Sequence, residues 1–326
     1  MSIIGMGNAL VDALVKINDD DILIKAGLKK GVMEMISLEQ MLSLRQTIDE
    51  NKRTRQAGGS VCNSMRSIAM LGGTAGYIGK VGNDDDGLFY EQAIRNAGLQ
   101  PFLIRTEGIS GNCTVMISAD GERTMSTFLG PAPTILPEEV KEDYLKNFQV
   151  IYIEGYMIVN EPLVRETMKK AHQLGLKVAL DLSNFNIVKN FMPLLENIVP
   201  KYVDILFSNE SEAEAFTSEK PEQAVKTLSS LVSTVACVTI GKDGVLVGGK
   251  EEVLHEPAAS SNPVDTTGAG DNFAAGFLYG LSVGASLSQA AQIGSLLSSE
   301  VIHVIGAQIP ADRWKQIKLK VNRILA

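Results

Sequence analysis

The segment PVDTTGAGDNFAAGF, residues 263–277, places three small residues, Gly268, Ala269 and Gly270, directly before Asp271 and an apolar run with helical character. The first turn of a helix carries unpaired N–H groups and a partial positive charge, so it attracts anions. Residues without bulky side chains let those N–H groups approach a phosphate closely. The acid at the mouth of such a seat has two readings. Asp is a favoured helix cap. A carboxylate beside an incoming phosphoryl group is also placed to take the proton of an attacking hydroxyl, as a general base.

A second glycine cluster lies in RQAGGSVCNSMRSIAMLGG, residues 55–73. Gly58 and Gly59 precede Ser60, the expected N-cap of a helix with Val61, Met65, Ile68 and Ala69 at core spacing and Gly72-Gly73 at its end. Two readings stay open. One is a tight turn into a helix. The other is a backbone against which a polyol can lie, with the Asn63 amide directed at hydroxyls. Other glycine runs mislead. GMGNAL, residues 5–10, follows a strand but has Leu10 where the dinucleotide fingerprint needs a third glycine, which disfavours a dinucleotide oxidoreductase. GYIGKVG lacks the spacing and the Ser/Thr of a P-loop.

The elements that must hold these segments alternate. Apolar runs at residues 149–156, 177–183 and 235–241, and VDILFSN between them, are separated by amphipathic helical stretches. That pattern predicts an α/β fold with a doubly wound, mostly parallel sheet and helices on both faces. Two stretches break it. Residues 12–37 lack a clean helix, and residues 112–130 read as a β-hairpin turning at Asp120-Gly121. They predict a small sheet set apart from the first.

Bulk properties narrow the classes. The chain has 326 residues, 45% hydrophobic and 21% charged, with 30 basic and 38 acidic side chains for a net charge of −8. That balance argues against nucleic acid as a partner. No run approaches a membrane span. Three cysteines, Cys62, Cys113 and Cys237, form neither CxxC nor a Cys/His cluster, so neither a disulfide framework nor structural zinc is expected, and a reducing cytoplasm is the expected location. His172, His255 and His303 are read as surface or packing residues, and Cys62 has no neighbour that would activate a thiolate. Asp181, at a strand end, is open between a supporting role at a metal and simple capping.

AGGSVCNSM and PVDTTGAGDNFAAGF resemble the two signatures of the ribokinase-like (PfkB) sugar and nucleoside kinases. The resemblance runs along nearly the whole chain through GNALVD, VGNDDDG, ADGERT, NESEAE, TIGKDG and GAQIP. It implies one kinase domain over residues 1–326, Rossmann-like, with a small β lid from about residues 12–37 and 99–130. It implies ATP-dependent phosphorylation of a primary hydroxyl, with Asp271 as base and the amides of Gly268, Ala269 and Gly270 as anion hole. Asn8, Asp12, Gly58, Gly59 and Asn63 match the acceptor-binding positions. Thr239, Gly241, Gly244 and Thr267 match nucleotide-binding ones. Asn209 and Glu212 match an NxxE motif that holds Mg2+ largely through water, in keeping with that ion's reluctant dehydration. On residue type alone, Glu212 would be a solvated first-turn acid. Asp265 and Thr267 lie where members bind a monovalent cation such as K+.

GNALVD and RTMSTFLG resemble the adenosine kinase branch, whose base slot Met125, Phe128 and Leu129 would line, whereas GAQIP resembles ribokinase. Adenosine is the expected acceptor, with ribose, another nucleoside or a hexose as alternatives. A non-catalytic ligand-binding descendant is the reading from another class, and retention of Asp271 and its glycines speaks against it. Either a monomer or a homodimer fits.

Overall fold

The computed structural model describes residues 1–48, 53–250, 252–260 and 262–326. The chain starts in β1 (Ile3–Met6) and passes within three residues into β2 (Leu10–Lys16), which belongs to a different sheet. β3 (Met33–Met35) and β4 (Thr54–Gly58) follow. β5 (Ala75–Gly82) and β6 (Gln100–Thr106) precede the hairpin of β7 (Gly111–Ile117) and β8 (Arg123–Phe128). The second half supplies β9 (Val150–Ile153), β10 (Lys177–Asp181), β11 (Ile205–Asn209), β12 (Val235–Thr239), β13 (Val245–Gly248) and β14 (Val253–Glu256).

The large sheet has the order β14-β13-β12-β11-β10-β9-β1-β5-β6, parallel from β12 through β6 and antiparallel at β13 and β14. Its strands are apolar on both sides because both faces are covered. Ile3, Tyr77, Tyr152 and Phe207 pack beneath Phe273 and Phe277 on one face. Ile4, Ile78, Ile151 and Ile153 fill the other. Strand order reverses at β1 and β9, the switch point at whose carboxyl end α/β sheets bind ligands.

The small sheet runs β3-β8-β7-β2-β4. Gly121, at φ +86°, turns the expected hairpin, its N–H donating to the Ser118 carbonyl at 2.9 Å. The stretch expected from residue 99 joins this sheet only at Gly111, because β6 pairs in parallel with β5 at the edge of the large sheet. The small sheet also recruits β4, and the stretch after β2 contains a short helix, Asp21–Lys25. Val15, Ile17, Leu23, Leu44 and Met116 form its own minor core.

Candidate active site

Asp271 is the third residue of the helix Ala269–Ser282, and Gly268, at φ +76°, occupies the N-cap position. The cap reading of Asp271 therefore falls. Its carboxylate turns outward from the helix: Ser60 Oγ donates to Oδ1 at 2.6 Å and Asn63 Nδ2 to Oδ2 at 3.0 Å. Both donors come from the helix Ser60–Leu71, whose Ser64 Oγ also donates to the Asp271 carbonyl at 2.8 Å. Burial pushes the Asp271 carboxyl above the usual carboxylate range, and these two hydrogen bonds oppose it. A carboxylate held by neutral donors, with no cation among the described residues bonded to it, keeps the basicity a proton acceptor needs.

Ser60, expected as a cap, is the first helical residue, and Gly59 precedes it at φ +100°. A Cβ on Gly59 would lie 2.3 Å from the Asn8 carbonyl oxygen, and one on Gly58 would lie 2.2 Å from an Asp12 carboxylate oxygen. These close approaches press the passage between sheets, residues 7–9, and β2 against the turn from β4 into the helix, residues 58–59. Asn8, Asp12, Gly58, Gly59 and Asn63 are thereby brought together at the switch point. Burial, then the charge of Asp271, pushes Asp12 up to about 7. Glu154, immediately after β9, joins the group: Asn8 N and Nδ2 donate to its Oε1 at 2.9 and 2.6 Å.

Asp271 lines a cavity of about 210 Å³ with Asp181, Asn209, Glu212 and Thr239. A neighbouring cavity of about 230 Å³ is lined by Gly241, Gly244, Ala258, Pro263 and Ile302. Thr239, Gly270 and Phe273 border both, so the two are compartments of one cleft. Met125, Phe128 and Leu129 lie outside the lining of either compartment. His303 Nε2 lies 3.1 Å from Ser260 Oγ on the exposed surface.

NxxE forms a capping box. Asn209 Oδ1 accepts from Glu212 N at 2.9 Å, while Asn209 N and Nδ2 donate to Glu212 at 2.9 and 2.7 Å. Glu212 is nevertheless only 4% exposed, so the solvated-acid reading fails. Burial and the neighbouring Asp181 raise its carboxyl. Asp181 is raised by burial and by Asp271, while it accepts from Ser183 N at 2.6 Å and Tyr152 OH at 3.1 Å. Three carboxyls crowd this compartment with no cation among its lining residues. Among the described residues no cluster of three or more His, Cys, Asp or Glu could ligate a metal directly. This donor set fits a hydrated divalent cation, for which Asn209, Glu212 and Asp181 would hold the water shell.

The other cation assignment does not fit. Asp265 Oδ2 pairs with Arg123 Nη1 at 2.6 Å and accepts Gly306 N at 2.7 Å. Its Oδ1 accepts Thr267 N and Oγ1 at 3.0 and 2.8 Å. A guanidinium from the hairpin thus already pairs with the Asp265 carboxylate that would meet a monovalent ion.

The family model described as pfkB family carbohydrate kinase matches residues 27–314. The chain belongs to the pfkB family of carbohydrate kinases. Adenosine kinase of Schizophyllum commune is 28% identical, with 96% of this chain and 97% of the relative covered. The crystal structure of adenosine kinase from Sinorhizobium meliloti superposes with a TM-score of 0.84 at 32% identity, covering 97% of this chain and 98% of the other. That of a probable sugar kinase from Rhizobium etli gives 0.85 at 29% identity, covering 98% of each. This pfkB kinase is therefore a phosphotransferase with an alcohol acceptor, on the adenosine kinase-like branch, and no helix among its described residues could cross a membrane.

Sequence reasoning passed over Glu154 and Arg123. Glu154 was detectable as an acid inside an apolar run, QVIYIEGY, where a charge needs partners. Arg123 gave no such signal.

Proposed function

We propose that this pfkB kinase transfers the γ-phosphoryl group of ATP to the 5′-hydroxyl of adenosine. The observation that carries the reading is the position of Asp271: one carboxylate, held by the Ser60 helix, faces the cleft beside the N-terminus of its own helix and adjoins the Asn8–Asp12–Gly59 crossing. An acceptor seated at that crossing offers its primary hydroxyl to Asp271, which takes the proton as the oxygen attacks. The amides of Gly268 and Gly270 receive the charge growing on the phosphoryl oxygens, whereas the Ala269 N–H, expected to share in this, donates to the Thr266 carbonyl at 3.1 Å. The nucleotide extends from there into the compartment of Thr239, Gly241 and Gly244. Mg2+, when bound, offsets phosphate charge against the acids around Glu212. The small sheet acts as a lid that excludes water, tied down by Arg123 on Asp265.

The test is release of ADP from Mg-ATP over a panel of nucleosides and free sugars. Adenosine is expected to give the highest kcat/KM. ADP release with ribose or a hexose alone would replace the nucleoside reading by a sugar kinase one, and silence across the panel would overturn both the nucleoside and the free-sugar readings.

A further inference from the structure

A cavity of about 340 Å³, larger than either compartment of the cleft, is walled by the Ser60 helix, the helix Asp85–Asn96 and residues 308 and 311. It shares no lining residue with the cleft. Its apolar wall includes the buried Cys62, Ile94 and Leu99. Arg55, Arg66 and Gln308 supply polar groups, and no Asp or Glu is among the described residues that line it. Gln308 Nε2 is committed to the Ala57 carbonyl at 2.7 Å, which leaves the two arginines to decide what the cavity can hold.

Neither arginine is neutralised. Arg66 is half-buried and forms no ion pair among the described residues; its hydrogen bond to the Ile309 carbonyl is long, at 3.5 Å. Burial holds its guanidinium below the usual arginine range. Arg45, Arg105 and Arg123 are half-buried too, and each pairs with a carboxylate. Arg55 does meet one, Asp86 at 3.1 Å, but Asp86 also pairs with Arg45, so two guanidiniums share a single negative charge. The Arg55 guanidinium lies over the Phe89 ring, 4.5 Å from its centroid, and Phe89 lines the same cavity. Stacking of this kind fixes the plane in which a guanidinium presents its donors. A desolvated cation without a partner costs free energy until an anion reaches it.

We infer that this cavity is a second ligand site, separate from the cleft, and that it takes a small phosphomonoester with an apolar body. The phosphate meets Arg55 and Arg66, and the body packs on Cys62, Ile94 and Leu99 beside Phe89. Two cations with one shared counter-charge match a dianion better than a single carboxylate, and the guanidinium fork suits phosphate oxygens. The buried apolar wall adds affinity that a bare inorganic ion cannot gain.

The probe is phenyl phosphate, set beside inorganic phosphate, which lacks the body, benzyl alcohol, which lacks the charge, and benzoate, which carries one charge. Wild type is expected to bind phenyl phosphate with a calorimetric Kd of about 1 mM or tighter, and each of the other three about fivefold or more weakly. R66Q should weaken phenyl phosphate by about tenfold or more. D271N, which alters the cleft, should leave that Kd within about twofold. In hydrogen exchange on wild type, phenyl phosphate should slow amides of residues 62–70 and 89–97. No saturation below about 10 mM, an affinity for any of the three comparison probes equal to that for phenyl phosphate, or an unchanged Kd in R66Q would overturn the inference. If R66Q does not melt cooperatively, hydrogen exchange decides: protection missing from both helices, or confined to residues 268–273, overturns it.

Discussion

The two sides of Asp271 are built in opposite ways. Toward the nucleotide compartment the backbone is bare: a Cβ on Gly270 would meet no protein atom within 4 Å. Toward the crossing, Cβ atoms on Gly7, Gly58 and Gly59 would lie 2.4, 2.2 and 2.3 Å from Glu154, Asp12 and Asn8. Glycine therefore serves two purposes within one site. At the crossing it lets two chain passages and two carboxylates occupy the same small volume, which is a condition of folding. At Gly270 it leaves open space beside the cleft. Asp271 belongs to both sides, and its loss should have the largest effect. Asp271→Asn keeps the shape and removes the proposed base, so kcat is expected to fall by about 10²–10⁴-fold with the melting temperature little changed. Turnover near wild type in a steady-state assay would remove Asp271 from the chemistry and leave only a link between two helices.

The contrast sharpens within one motif. Gly268 sits at φ +76° with a virtual Cβ 2.6 Å from Ala307 Cβ, whereas Gly270 is an ordinary helical position facing open space. Gly270→Ala should cut kcat/KM by about 10²-fold by displacing the phosphoryl group. It should also leave stability unchanged or raise it by about 0.5–1 kcal/mol, as alanine for glycine in a helix does. Gly268→Ala should lower stability by about 2–4 kcal/mol through backbone strain and overpacking, whatever its effect on rate. Thermal melting beside initial rates separates the two. Equal destabilisation by both substitutions would erase the distinction between a glycine kept for the fold and one kept for the ligand.

Asp271 was legible in the sequence because its neighbours are contiguous: glycines, acid and apolar helix lie within fifteen letters, and helix-terminus electrostatics act locally. The alternation of strands and helices was legible for the same reason. What escaped depends on strand order. Glu154 meets Asn8 only because β9 is laid beside β1, and Arg123 meets Asp265 only because the small sheet folds back onto the large one. Neither neighbour relation is written in local spacing. Ser60 shows a subtler limit. Serine before a helix reads as a cap, but the backbone was already turned by Gly59, which released the hydroxyl to bind Asp271. Glu212 likewise has the look of a surface acid, and the burial of its strand-end environment, with the neighbouring Asp181, raises its carboxyl.

The smallest expected effect is on stability against pH, and it again sets the two sides apart. Asp12 and Glu154 at the crossing are each raised to about 7, chiefly by burial, from ordinary values of 3.8 and 4.5. A carboxyl whose folded pKa exceeds its unfolded one binds more protons in the folded state between those two values. Stability is then lost as pH rises through the folded pKa. Ligand-free protein should accordingly melt higher at pH 6 than at pH 8, by roughly 1–3 °C for each such carboxyl. Asp12→Asn should remove part of that slope, because a neutral amide has no proton to lose. On the nucleotide side the raised acids, Asp181 and Glu212, border a cleft that admits a divalent cation, so Mg2+ with ATP should flatten their share of the slope while the crossing's share persists. A melting temperature that rose from pH 6 to pH 8 would mean that these carboxyls are ionised at little cost. The packed side of the site would then be as well solvated as the open one.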